Sequence, residues 1–293
     1  MRKTILMFVL SCLSVFSLSA CAPKKVTLPS FTLENFPVLD GSTVTIPMDE
    51  ALMAKMTGKT IEEVRPYVLH SKTHEAYVRL IEGNADLILV TSPSKEEKDL
   101  AAASGVTLEV IPIVSEAFIF LTNVQNPVDS LTFQQIVDIY TGKITNWKDL
   151  GGHDTPIIAF QRPVNSGSQT GFLDLVMKGK TAMSPPIDWV FAGMGELVEA
   201  VANYDNAKDA IGYSYYYFVT DMWGNDQVKL LKVDGIYPDK VTIANGSYPI
   251  KTAYYAVFNK NEAQNSDVRK IVSWILSDDG QQLMEDSGYV KVD

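Results

Sequence analysis

The stretch RPVNSGSQTGF, residues 162–172, joins two different patterns. Before it, residues 156–160 form a short apolar run, which predicts a strand. After it, residues 172–177 are mostly apolar and read as a helix. Between them lie one permanent cation, Arg162, and a run of Ser, Gly, Gln and Thr. A strand, a hydroxyl-rich glycine loop and a helix make one unit of an α/β protein. Glycine lets backbone come close to a neighbour or a guest. A helix start leaves backbone N–H groups unpaired and carries partial positive charge. The stretch is therefore a candidate anion cradle.

Two further places share that arrangement, residues 41–47 (GSTVTIP) and 71–74 (SKTH). Ser and Thr are common helix caps, so capping alone explains any one of these loops. Three together, one of them preceded by an arginine, point to a shared anionic guest. A guanidinium is always charged and presents a planar fork of donors that suits an oxyanion.

The rest of the chain repeats the alternation. A helix after Pro47 carries Met48, Leu52, Met53 and Met56 as core filling. Residues 65–70 read as a short strand and 71–81 as a helix. Residues 86–90 form a continuous apolar run, as in a strand buried on both faces. A helix is expected over 95–103, and β-rich runs over 110–114 and 116–122. A helix starting at Leu131 or Thr132 runs to Tyr140, with Gly142 as a left-handed stop. Residues 146–152 are a turn-rich link. A helix follows at 194–202, strands at 210–218 and 248–259, and an amphipathic helix at 266–277 with Ser266 as its cap. Strands alternating with helices predict parallel sheets.

The ends and the composition limit the functions. MRKTILMFVLSCLSVFSLSAC opens with Arg2 and Lys3, continues with an apolar core and ends at Leu18-Ser19-Ala20-Cys21. This reads as a secretory signal, and Cys21 after Leu-Ser-Ala resembles a lipobox, so Cys21 is the expected lipidation site. Acylation tethers a chain to a membrane without spanning it. Cys12 lies inside the signal, so the mature chain has no cysteine pair and needs a real core. Without Arg2 and Lys3 there are 23 basic residues against 35 acidic, a balance of −12. No basic cluster suggests nucleic acid. No later apolar run reaches membrane-spanning length.

Several motifs resemble the phosphate-binding proteins of ABC importers. Arg162…Ser166-Gly167-Ser168 is similar to that family's Arg-x-x-x-Ser-Gly-Thr loop. Gly41-Ser42-Thr43-Val44-Thr45-Ile46-Pro47 is similar to its first loop, which ends in Thr-Phe-Pro. Tyr140-Thr141-Gly142-Lys143-Ile144-Thr145-Asn146-Trp147 resembles its Tyr/Phe-x-Gly-Lys-Ile-x-x-Trp segment, the most specific of the set. Ala210-Ile211-Gly212-Tyr213 matches its Ala-Ile-Gly-Tyr strand. The resemblance covers most of the mature chain in order. It implies a two-lobe type II periplasmic-binding-protein-like α/β fold with a hinge and an interlobe cleft. The implied division is signal 1–21, tether 22–35, lobe 1 at 36–120 plus 252–293, and lobe 2 at 121–251. The implied ligand residues are Thr45, Ile46, Thr73, Thr91, Ser92, Arg162, Ser166, Gly167 and Ser168. The chain departs from the family in Thr91-Ser92, where an Asp is usual, and in Val164, where an acidic residue is frequent. A hydroxyl donates or accepts, so phosphate, another oxyanion and a ligand with one anionic group all remain open.

The expectation is an extracytoplasmic solute-binding lipoprotein, anchored to the cell membrane and serving an importer permease. It is a monomer with no cofactor, no metal and no nucleic acid partner. The alternatives are a binder of a different small anionic solute, a ligand-free surface interaction protein, or a hydrolase. A hydrolase lacks support because Ser166 and Ser168 do not sit at the centre of Gly-x-Ser-x-Gly. Of the histidines, His70, His74 and His153, the first two are four apart without the Glu of His-Glu-x-x-His. His74 is expected at a helix start near the cleft. Tyr213, Tyr215, Tyr216 and Tyr217 suit core or cleft wall, with Tyr215 or Tyr217 lining a pocket.

Overall fold

The structure, a computed structural model, describes residues 26–203 and 207–292; Cys21, the signal and the start of the tether lie outside them. From its N-terminal end the chain runs through β1 (Leu39–Gly41), α1 (Ile46–Thr57), α2 (Ile61–Val64), α3 (Thr73–Ile81), β2 (Leu87–Val90), α4 (Lys95–Ala103) and β3 (Leu108–Asn123). Next come β4 (Ser130–Leu131), α5 (Phe133–Tyr140), β5 (Ile158–Ala159), α6 (Gly167–Gly171), α7 (Met194–Asn203) and β6 (Ala210–Tyr215). The chain ends with β7 (Val228–Leu230), β8 (Lys232–Val233), α8 (Lys240–Ala244), β9 (Lys251–Asn259), α9 (Asp267–Ile275) and α10 (Asp278–Asp286).

The main sheet has the order β1-β2-β9-β3-β6-β5, with β7 also on β3. β2 reads LILV, and all four residues are buried, as its unbroken apolar run requires. The parallel sheet expected from alternation is only part of the result. β1–β2, β5–β6 and β4–β8 are parallel, whereas β2–β9, β3–β9, β3–β6 and β3–β7 are antiparallel. The cause is β3. The two β-rich runs of the sequence fuse into one strand of 16 residues. Pro112 does not interrupt it, because the register shifts between Pro112 and Val114, and a bulge is where a strand tolerates proline.

β3 changes partner along its length. From Leu108 to Ala117 it pairs with β9, and from Phe118 to Thr122 with β6. Ala117 faces Lys251 in the ladder, and the Phe118 N–H donates to the Ile250 carbonyl at 2.9 Å. Residues 117–118 and 250–251 thus lie side by side.

The packing around β6 is built on aromatic rings. Tyr213 stacks on Phe172 with centroids 4.7 Å apart, and Phe118, Phe120 and Tyr140 close around them. Three expectations change. Residues 65–70 are not a strand: Pro66 opens a single 3-10 turn, Arg65–Tyr67. The tyrosine-rich strand stops at Tyr215, and a π-helical turn covers Phe218–Trp223. α10 was not foreseen; Ser277 caps it, accepting from the Gly280 N–H.

Glu116 precedes the partner change and is 2% exposed. Its carboxyl accepts from the Ala117 N–H at 2.7 Å and lies 3.4 Å from the Tyr217 N, with the Tyr254 hydroxyl beside it. Burial pushes its pKa up to about 7, against the opposing pull of these hydrogen bonds. Between the ordinary glutamate range and about pH 7, the folded protein keeps a proton that the unfolded chain has lost. Stability therefore falls as pH rises through that window, by up to about 3 kcal/mol. Glu116→Gln is expected to shrink the gap in melting temperature between about pH 5 and about pH 8. Thermal melts with an unchanged gap would contradict this account of Glu116.

Candidate functional site

The three hydroxyl-bearing loops meet. Residues of all three line one cavity of about 300 Å³ with Arg162 at its wall, at the small end of ligand-pocket sizes. Two stretches of the first half of the chain, Ser42–Val44 and Lys72–His74, contribute together with Thr91. The second half contributes Arg162–Gly167 and Ala192–Met194.

Arg162 is 8% exposed. Its Nε–H donates to the Phe191 carbonyl at 2.7 Å, Nη2 to the Ala192 carbonyl at 2.8 Å, and Nη1 to Ser168 Oγ at 3.2 Å. Among the described residues it makes no ion pair. A guanidinium has five N–H groups, so these three bonds leave two. Its backbone N–H is held by the Tyr213 hydroxyl and by Gln169 Oε1, and Tyr213 also donates to Gln169. The aromatic core thus fixes the base of the loop. Burial pulls the Arg162 pKa below its usual value, and the negative charge of Glu196 works against that shift. A desolvated cation of this kind gains from an anion placed at its free N–H groups.

The hydroxyls divide by role. Ser42 Oγ and Thr91 Oγ1 are buried without a hydrogen-bond partner, and both residues line the cavity. Thr73, the first residue of α3, lines it as well. Ser166 lines it while capping α6 through the Gln169 N–H at 3.3 Å. Gly167 permits the approach between halves. A Cβ there would lie 2.5 Å from Thr73 Oγ1 and 2.6 Å from Thr91 Oγ1.

Four expected residues are placed elsewhere. Thr45 does not line the cavity. Its hydroxyl lies 2.8 Å from the Leu89 carbonyl and 3.1 Å from Asp49 Oδ2, bracing the loop against β2. The Thr45 hydroxyl is within donating distance of both Leu89 and Asp49, and burial pushes the Asp49 pKa well up against the opposing hydrogen bond from Thr45. Ile46 is displaced for the same reason. A 3-10 turn, Thr43–Thr45, precedes α1, so the first unpaired N–H groups belong to Thr43 and Val44. Ser92 is not in the lining. Ser168 is fully buried and holds Arg162 in place.

Ser42, Thr43, Lys72 and Asn165 lie in the stretches that the sequence marks as candidate anion cradles, although they are not among the implied ligand residues; the Ala192–Met194 turn carries no such mark. Lys72 has φ 70° and ψ 166°, a region that non-glycine residues rarely occupy. No sequence pattern marks such a residue. Asn165 has φ 65° and donates to Glu96 of α4 across the two halves. The Ala192–Met194 turn is small and apolar; its Ala192 carbonyl, with that of the preceding Phe191, accepts from Arg162. His74 does lie on the cavity, its Nδ1 3.0 Å from Glu97 Oε1. Tyr215 does not line it; its hydroxyl donates to the Gly167 carbonyl at 3.0 Å. No metal-holding cluster occurs among the described residues.

Residues 38–279 match the family model described as a PBP superfamily domain. The chain is similar to phosphate-binding protein PstS of Bacillus subtilis, 29% identical over 223 residues, covering 76% of this chain and 67% of that protein. It is also similar to phosphate-binding protein PstS of Staphylococcus saprophyticus, 27% identical over 86% of this chain and 78% of that protein. Among solved structures it resembles a Clostridium perfringens protein assigned as a phosphate ABC transporter substrate-binding protein, with bound phosphate. The TM-score is 0.66 at 28% identity, over 87% of this chain and 98% of that one. An ABC-type phosphate transport receptor from Vibrio cholerae matches in fold, with TM-score 0.63 at 22% identity over 86% of this chain and 98% of that one.

The Lys72 backbone offers a direct check. A residue held in this region costs about 1–3 kcal/mol. Lys72→Gly is expected to raise the melting temperature of the ligand-free protein by a few degrees. A lower melting temperature in calorimetry would show that the conformation is not strained.

Proposed function

The chain belongs to the PBP superfamily and has the α/β, two-lobe type II periplasmic-binding-protein-like fold, and from that premise we propose that it is the extracytoplasmic solute-binding protein of an ABC importer. Its ligand is phosphate or a related small oxyanion, held in the cavity between the lobes. It is a binding protein, not an enzyme, and it hands its ligand to a membrane permease. The observation that carries this reading is the buried, unpaired Arg162 facing the unpartnered hydroxyls of Ser42 and Thr91 across one cavity. The names of the relatives, which refer to phosphate, support the choice of ligand.

The mechanism follows from where the residues sit. One lobe, residues 36–120 plus 252–293, offers Ser42, the N–H groups of the 3-10 turn, Thr73 and Thr91. The other, residues 121–251, offers Arg162 and the Ser166-Gly167 turn. The adjacent passages at Ala117–Phe118 and Ile250–Lys251 act as the hinge. An anion selects the closed arrangement because only there do both sets of donors reach it. Closure removes water, which strengthens each contact.

The N-terminus completes the proposal. Cys21, acylated, anchors a monomer to the outer face of the membrane, with residues 22–35 as the tether. No helix of the described residues is long and apolar enough to cross a membrane.

Two measurements test these statements. Arg162 has two N–H groups to offer, and hydrogen bonds to charged groups are worth about 1.5–3 kcal/mol each. Calorimetry with inorganic phosphate should therefore show Arg162→Ala binding weaker by about 3–6 kcal/mol, with Arg162→Lys intermediate because it keeps the charge and loses the fork. Equal affinity in all three proteins would remove Arg162 from the site. Cys21→Ala should move the protein from the membrane pellet to the soluble fraction; retention in the pellet would refute the lipid anchor.

A further inference from the structure

We propose that the cavity reads the charge and shape of its guest without reading a ligand proton, and so binds sulfate alongside phosphate. This rests on the oxyanion reading of the cavity. The lining, among the described residues, contains no Asp or Glu. Its charged side chains are Arg162 and Lys72, and the rest of its polar groups are hydroxyls, backbone groups, Asn165 and His74. To favour a guest that bears a proton, a site needs a committed acceptor for that proton. A hydroxyl both donates and accepts, so it accommodates a bare oxygen or a protonated one.

Thr91 decides the matter. It is 1% exposed, lines the cavity and has no partner for Oγ1. Its position is fixed from behind, because the Tyr77 hydroxyl donates to its carbonyl at 2.8 Å. The neighbouring Tyr215 hydroxyl is committed to the Gly167 carbonyl. The Thr91 hydroxyl is thus held in place, and its hydrogen can turn toward a guest or toward the Tyr215 oxygen beside it.

The nearby carboxylates are occupied elsewhere. Glu97 sits behind His74 and accepts the Ser94 N–H at 2.7 Å. Glu196 accepts the Gly193 N–H at 2.8 Å. Neither lines the cavity. With Nδ1 on Glu97, His74 has Nε2 left, which accepts when the ring is neutral and donates when it is charged. It rejects neither kind of guest. A like charge against the guest is the usual device for excluding a partner, and this cavity lacks it.

The test is calorimetry on the full chain at about pH 8, where inorganic phosphate is chiefly its dianion, with inorganic phosphate and sodium sulfate as probes. The expected result is a sulfate Kd within about tenfold of that for phosphate. Thr91→Asp should weaken sulfate by about a hundredfold or more, and phosphate by less, because phosphate can bring a proton to the new carboxylate. Thr91→Val, which keeps the shape, should weaken both anions alike and leave their ratio unchanged. Phosphate binding with sulfate about a hundredfold weaker in the unsubstituted protein would overturn the inference and leave the oxyanion reading intact. An unchanged ratio in a folded Thr91→Asp protein would also overturn it. If neither anion binds at millimolar concentration, the oxyanion reading itself fails, and this inference fails with it.

Discussion

A guanidinium withdrawn from water without a carboxylate beside it is an expensive feature, and the second half of the molecule is arranged around one. Arg162 is surrounded by neutral acceptors, the carbonyls of Phe191 and Ala192 and the hydroxyl of Ser168. These satisfy its geometry without an ion pair, and the more distant negative charge of Glu196 offsets the guanidinium only in part. A nearby Asp or Glu would have been the easy solution, since buried charges are normally paired. It would also have filled the place of an anionic guest. The cost is met by the aromatic base, where Tyr213 stacks on Phe172 and grips the Arg162 backbone. A rigid apolar core can hold an unfavourable charge in position because close-packed side chains do not yield to relieve it.

The acidic balance of the chain is compatible with this site. Surface carboxylates in physiological salt are screened beyond about 8 Å. The cavity acts at contact distance and in a medium of lower dielectric, where a few fixed donors outweigh many distant charges. Asp49 fits the same logic. It lies close to the first loop, within hydrogen-bond distance of the Thr45 hydroxyl, and burial raises its pKa well above the usual aspartate value. A raised pKa lessens the negative charge that this carboxyl brings near the cavity.

What the sequence made legible was periodicity and capping. The all-apolar β2 and the helix Lys95–Ala103 follow from local pattern, and so do the caps at Thr132 and Ser266. The meeting of the three loops was also readable, because each combines a turn chemistry with a helix start. What escaped was set by backbone geometry at single residues. One 3-10 turn before α1 moved the first loop's contribution from Thr45 and Ile46 to Ser42, Thr43 and Val44. The conformation of Lys72 and the Phe191 and Ala192 carbonyls that hold Arg162 leave no trace in residue type. The direction of strands escaped as well. Alternation fixes which segments are strands, whereas a β3 long enough to serve both halves decides that its neighbours run against it.

The two halves of the site are of different kinds, and the difference gives closure its meaning. The first half supplies hydroxyls and helix-start N–H groups, which are dipoles that water serves nearly as well. The second supplies the only deeply buried full charge in the lining, on a loop whose glycine comes within reach of Thr73 and Thr91. Neither alone would hold a small anion against its hydration. The dipoles lack charge, and the guanidinium, with three of its N–H groups already spent, offers only two bonds. Together, and with water excluded, they surround the guest on opposite sides. In the proposed closure, ligand affinity is coupled to the position of the Gly167 turn, because its lack of a side chain leaves room for Thr73 and Thr91 beside it.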